Sequence, residues 1–122
     1  MENIYFNHDG NIDVSYLLLL QAPNIKLLGV GAIDADGYID PSVEACRKMT
    51  DLFNLRGDQL AVARSNSRAV NQFPHEWRMA TYSFNYLPML NEKGHIDTKQ
   101  AELPAHLDMV EKIKHAQEPV TL

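Results

Sequence analysis

The stretch YFNHDGNIDVSYLLLL, residues 5–20, carries a short apolar run into a turn and a longer apolar run out of it. Between the two lie Asn7, His8, Asp9, Gly10, Asn11 and Asp13. Ile4, Tyr5 and Phe6 read as a short buried strand, which the Gly10-Asn11 turn ends. Asp13 then suits the N-cap of a helix reaching Ala22, because its side chain can accept a backbone N–H of the first turn. Strand, acidic turn and apolar helix form the opening unit of an α/β fold.

The rest of the chain repeats that alternation. Residues 25–33, IKLLGVGAI, are apolar almost without interruption, as in a parallel strand covered on both faces. The loop Asp34-Ala35-Asp36-Gly37 follows. Asp40 and Pro41 are expected to open a second helix as N-cap and first helical residue. Val43, Cys46, Met49 and Phe53 recur at helical spacing on its buried side, and Gly57 ends the segment. LAVA, residues 60–63, reads as a third strand and RSNSRAVNQFP, residues 64–74, as a polar loop. A helix is expected from His75 to Leu87, stopped by Pro88, then an exposed loop over 91–103. Another helix spans Pro104 to His115 with Leu107, Val110 and Ile113 on one face. PVTL at 119–122 has strand character. The fold class implied is α/β, an open, mainly parallel sheet with helices on both faces and right-handed crossovers.

A chain of 122 residues, 45% hydrophobic, suffices for one modest core and not for two. Because PVTL resembles half of a buried strand, residues 1–122 are expected to be a single incomplete domain, the N-terminal part of a longer one. A formal charge of −5 argues against a nucleic-acid backbone as partner and leaves room for a metal cation or a polyol. The longest apolar run, Tyr16 to Leu20, is too short to span a bilayer, and no signal peptide is visible. Cys46 is the single cysteine; on the apolar stripe of its helix it reads as a core residue, and its lack of a disulfide partner fits the cytoplasm.

In open α/β sheets ligands bind beyond the carboxyl ends of the strands. Three polar loops are expected there: Asn7 to Asp13, Asp34 to Gly37 and Arg64 to Asn71. They would bring Asp9, Asp13, Asp34 and Asp36 to one rim, joined by Asn7, Asn11 and Asn66. Clustered carboxylates repel one another, and a divalent cation relieves that repulsion. Hard oxygen donors favour calcium or magnesium. The plainer reading is that Asp13 and Asp40 cap helices while Asp34 and Asp36 solvate a loop. Asp40 is assigned to that cap role, Asp9 to the site, and Asp13 to either or both. His8 is read as a hydrogen-bonding structural residue in preference to a base. Trp77, Tyr82, Phe84 and Tyr86 are read as packing or oligomer contacts in preference to a base-stacking platform.

These residues resemble the inosine–uridine preferring nucleoside hydrolase family. Its members open with a strand, the motif D-x-D-P-G-x-D-D and an apolar helix. The matching run here is Asn7-His8-Asp9-Gly10-Asn11-Ile12-Asp13-Val14. LLGVGAIDADG, residues 27–37, resembles the strand that ends in the family's Ala-Gly-Asn turn, with Asp36 near that Asn. PAHLDMVEKIKHAQEPVTL resembles the helix leading to the family's next central strand. The likeness covers almost all of this chain but only the N-terminal portion of the family's domain. It implies hydrolysis of the N-glycosidic bond of ribonucleosides at a calcium ion. By match, Asp9 would be metal ligand and general base, Asp13 would bind metal or the ribose diol, and Asp36 and Asn11 would bind substrate. Asn7 stands for the first motif Asp, Gly10-Asn11 for Pro-Gly, and Val14 for the second Asp of the closing pair. Fewer carboxylates imply weaker calcium binding and little or no activity of this chain alone.

Two rival readings remain. A haloacid-dehalogenase-type phosphatase also follows its first strand with D-x-D-G, but Asn7 replaces the nucleophile and an amide cannot form an aspartyl-phosphate. Alternatively the chain is a non-catalytic binding module, a homo-oligomer that pairs through a sheet edge such as PVTL or LAVA.

Overall fold

The structure, a computed structural model, describes residues 1–10 and 14–122. The expected cap at Asp13, and Asn11 beside it, lie outside the described residues. Strand β1 spans Glu2–His8, helix α1 Val14–Gln21, β2 Ile25–Asp34 and α2 Ile39–Phe53. Then come β3 at Val62–Arg68, α3 at His75–Arg78, α4 at Ala80–Asn85, α5 at Pro88–Asn91, α6 at Ala105–His115 and β4 at Val120–Thr121. The strands form one sheet in the order β3-β2-β1-β4, and every pairing is parallel. The α/β class and the parallel sheet read from the sequence are therefore what the chain adopts.

Each face of the sheet has its own cover. On one side Leu27, Val30, Ala32 and Val62 join Tyr16 and Leu20 of α1 and Val43, Cys46 and Met49 of α2 in a single buried cluster. Phe6 lies parallel to the Tyr16 ring, with centroids 5.7 Å apart. The Tyr16 hydroxyl donates to Thr50 Oγ1 at 2.6 Å, and Thr50 in turn donates to the Cys46 carbonyl at 2.8 Å. Burial pushes the Cys46 thiol up to about 12, which makes it a core residue and not a nucleophile.

On the other side α6 comes very close to β2, and glycine is the reason. A Cβ at Gly29 would lie 2.5 Å from the Tyr5 ring, and one at Gly31 would lie 2.7 Å from Asn7 Oδ1 and 3.1 Å from the Ala105 Cβ. Tyr5 fills that space, fully buried, and its hydroxyl donates to Asp108 Oδ2 at 2.7 Å. Burial and the Asp108 charge both push the Tyr5 hydroxyl pKa upward.

Several boundaries differ from expectation, each for a physical reason. Tyr38, not Asp40, precedes the first residue of α2; Asp40 lies in the first turn and pairs with Arg64. Strand β3 starts later than LAVA and continues through RSNSR, which was expected to be loop. As an edge strand it needs backbone pairing on one side only, so its outer half can carry exposed polar side chains. The helix expected over 75–87 is broken into α3 and α4, and Pro88 opens α5 instead of ending a helix. Leu107, Val110 and Ile113 do share a face of α6, but that face remains 39–44% exposed while Ala105 and Asp108 meet the sheet.

The glycine contact gives a direct test. Gly29→Ala should lower stability by about 1–3 kcal/mol in urea unfolding, because the Tyr5 ring has no space to retreat into. An unchanged urea midpoint would show that α6 does not pack this tightly.

Candidate functional site

The carboxyl ends of β1 and β2 lie side by side, and their two following loops are joined through the backbone. The Asp9 carbonyl accepts the Asp36 N–H at 2.6 Å and the Gly37 N–H at 3.3 Å. Two glycines permit this approach. Gly10 has a φ of +101°, and a Cβ there would lie 2.8 Å from the Gly37 nitrogen. A Cβ at Gly37 would lie 2.6 Å from the Gly10 carbonyl and 2.5 Å from Thr81 Oγ1. Any side chain at either position would push the loops apart.

Side chains then brace the junction. The Ser42 hydroxyl, in the first turns of α2, lies 2.8 Å from the Gly10 carbonyl and 2.7 Å from the Tyr38 carbonyl, and its proton serves both. His8 is buried, and its Nδ1 accepts the Gly10 N–H at 3.2 Å. That contact is a turn-supporting bond and matches its structural reading. Thr81 Oγ1 accepts the Tyr38 N–H at 3.1 Å from the α4 side.

The expected rim of four aspartates is therefore only partly realised among the described residues. Asp9 and Asp36 converge. Loss of solvent around Asp36 raises its carboxyl pKa above the ordinary value, and the Asp9 charge raises it further. Asp34 is committed elsewhere, as it pairs with the Arg78 guanidinium. Its carbonyl also accepts the Ala69 N–H at 3.1 Å and the Gln72 side-chain amide at 3.2 Å. Asp13 and Asn11 lie outside the described residues. Asn7 directs its amide to Met109 Sδ at 3.4 Å, and Asn66 is exposed on β3. No group of three or more His, Cys, Asp or Glu side chains among the described residues forms a metal cluster.

Sequence reasoning missed Arg78, Tyr38, Thr81 and Ser42. Arg78 is buried, donates from Nε to the Ala35 carbonyl at 3.0 Å, and stacks 4.0 Å from the Tyr38 ring centroid. The Tyr38 hydroxyl bonds His75 Nδ1. No local pattern announces these contacts, because Arg78 lies 43 and 44 positions from its partners. Of the aromatics, Trp77 and Tyr86 are 63% and 70% exposed, while Phe84 packs against the core cluster.

No protein-family profile matches the chain, and no curated protein does. Among solved structures the chain superposes on a crystal structure of an inosine–uridine preferring nucleoside hydrolase from Bacillus anthracis with a TM-score of 0.93. Identity is 43%, over 98% of this chain and 40% of that one. No helix among the described residues is long and apolar enough to cross a membrane.

The carboxylate pair makes a signed prediction. In the fold Asp36 holds its proton to higher pH than in the unfolded chain, so the native state binds more protons there. Its contribution to stability therefore declines as pH rises above about 4, the unfolded carboxylate value. With EDTA present, Asp36→Asn should raise the urea midpoint at pH 7, and the gain should shrink toward pH 3. A lower midpoint at pH 7 would contradict the repulsion.

Proposed function

Because the chain belongs by fold and sequence with the inosine–uridine preferring nucleoside hydrolases, and spans 40% of the length of the one it matches, we propose that it carries the cation- and ribose-binding turn of a ribonucleoside N-glycosidase. The observation that carries this reading is the backbone junction that brings Asp9 and Asp36 together at the carboxyl end of a parallel sheet.

The donor chemistry fits a hard cation. Asp9 and Asp36 are oxygen donors whose mutual repulsion a positive ion would relieve, and Asn11 and Asp13 follow Asp9 closely in the sequence. Asp9 and Asp13 would hold calcium, with water completing the six to eight oxygens that calcium takes. When bound, the ion would supply charge that acidifies a water and orients a ribose diol. Asp9 takes the proton from the attacking water. Asp36 and Asn11 hydrogen-bond the ribose hydroxyls, and Asp13 supports both sets of contacts. As the base departs, the sugar gains oxocarbenium character, and the negative rim stabilises that positive charge.

The same reading makes this chain a poor catalyst alone. Val14, 64% exposed, occupies the place where the family motif carries a further Asp. The chain spans 40% of the length of the nucleoside hydrolase it matches, and a full calcium coordination shell would need donors beyond Asp9 and Asp13. We place the protein in the cytoplasm, in accord with its single free cysteine. We also propose homo-oligomerisation through a sheet edge. Strand β4 pairs with β1 only at Asn3 and Ile4, so its outer side is a short open edge. The phosphatase reading has no support, since position 7 presents an amide to Met109 and no nucleophile.

Base release from inosine and uridine, with calcium present, tests the catalytic part. Turnover should stay below ~1 s⁻¹, the lower end of ordinary enzyme rates. Faster release would overturn the claim of inactivity, and release abolished by Asp9→Asn would assign it to this site. Sedimentation at high concentration should show assembly beyond a monomer; a strict monomer would remove the oligomer proposal.

A further inference from the structure

We propose that Arg78 is the positioning residue of the acidic rim, holding the Asp34-to-Tyr38 loop so that the Asp36 and Gly37 amides stay on the Asp9 carbonyl. Its contacts divide that loop in an informative way. The guanidinium binds the Asp34 carboxylate and the Ala35 carbonyl on one side and covers the Tyr38 ring on the other. Between these contacts lie Asp36 and Gly37, the two residues that donate to Asp9. The loop is gripped on both flanks, and its free middle faces the partner turn.

A second path closes the circuit. The Arg78 carbonyl accepts the Thr81 hydroxyl at 2.5 Å, and Thr81 Oγ1 accepts the Tyr38 N–H at 3.1 Å. Side chain and backbone of one residue thus fix both ends of the loop. Thr81 also presses on Gly37, where no side chain could fit. The cost of keeping a buried guanidinium is offset by the Asp34 charge and the π-face of Tyr38. A purely structural need for packing would be met by an apolar residue. A planar fork of donors, by contrast, can hold a carboxylate and a carbonyl in one fixed relation.

The inference deepens the cation-site reading but is tested apart from it. Amide hydrogen exchange followed by NMR in Arg78→Met and Arg78→Lys reads the loop directly. Loss of two charge-assisted bonds should cut protection at the Asp36 and Gly37 amides by on the order of 100-fold in Arg78→Met. The β2 amides of Val30 and Ala32 should change much less. Arg78→Lys keeps the charge without the fork and should fall between wild type and Arg78→Met; it also serves if the methionine variant does not fold. Equal loss at all four amides would reduce Arg78 to general stability, and no loss at Asp36 and Gly37 would overturn the proposal. Calcium calorimetry on the same proteins reads the consequence: Arg78→Lys should bind at least about tenfold more weakly than wild type, in proportion to the lost bonds. Wild type that binds no calcium would overturn the cation reading, while the exchange result would still decide the role of Arg78.

Discussion

The Asp9 carbonyl, shared by the Asp36 and Gly37 N–H groups, is the constraint on which the functional end of the molecule depends. Parallel strands deliver their following loops to the same sheet edge, but they do not dictate that the loops touch. Here the loops touch because Gly10 and Gly37 lack side chains where they meet. The result is that the backbones of Asp9 and Asp36 are joined, and the Asp9 charge adds to the upward shift of the Asp36 carboxyl. Left alone, such a pair costs stability.

The scaffold behind the junction keeps it in place. On one sheet face the core runs from Tyr16 and Leu20 through Val30 and Ala32 to Val43 and Cys46. On the other, Gly29 and Gly31 admit the Tyr5 ring and α6 in direct contact. These two layers fix the ends of β1 and β2. Ser42 and Thr81 then reach the loops from α2 and α4, and Arg78 reaches them from α3. Three helices of different sequence distance thereby act on one five-residue loop. Hydrogen bonds from α2, α3 and α4 thus converge on the junction.

How much of this could be read from the sequence depended on where each interaction is encoded. The opening strand, turn and helix were legible because their apolar runs are continuous, and IKLLGVGAI declared a buried parallel strand in the same way. The alternation placed Asp9 and Asp36 at the same sheet edge, since both residues trail a parallel strand, but the contact between their loops depends on Gly10 and Gly37. Asp34 could not be removed from the rim by inspection, as its partner Arg78 is 44 positions away in a segment that looked like an unbroken helix. The edge strand β3 was placed too early because backbone pairing, not side-chain pattern, extends it into RSNSR. Asp40 looked like a cap by residue type, yet the helix starts one residue before it at Ile39, and its carboxylate turns to Arg64. Leu107, Val110 and Ile113 formed the face that periodicity indicated, but small residues, not large ones, set the close contact with the sheet.

The central claim is that the joined loops form one cation site. Paramagnetic broadening of backbone amide resonances by Mn²⁺, a hard stand-in for calcium, tests it most directly. The account predicts that the amides of Asp9, Gly10, Asp36 and Gly37 broaden first and together, and that added calcium restores them. Broadening that begins at acidic side chains elsewhere, such as Glu44 or Glu111, with these four amides unaffected, would contradict it.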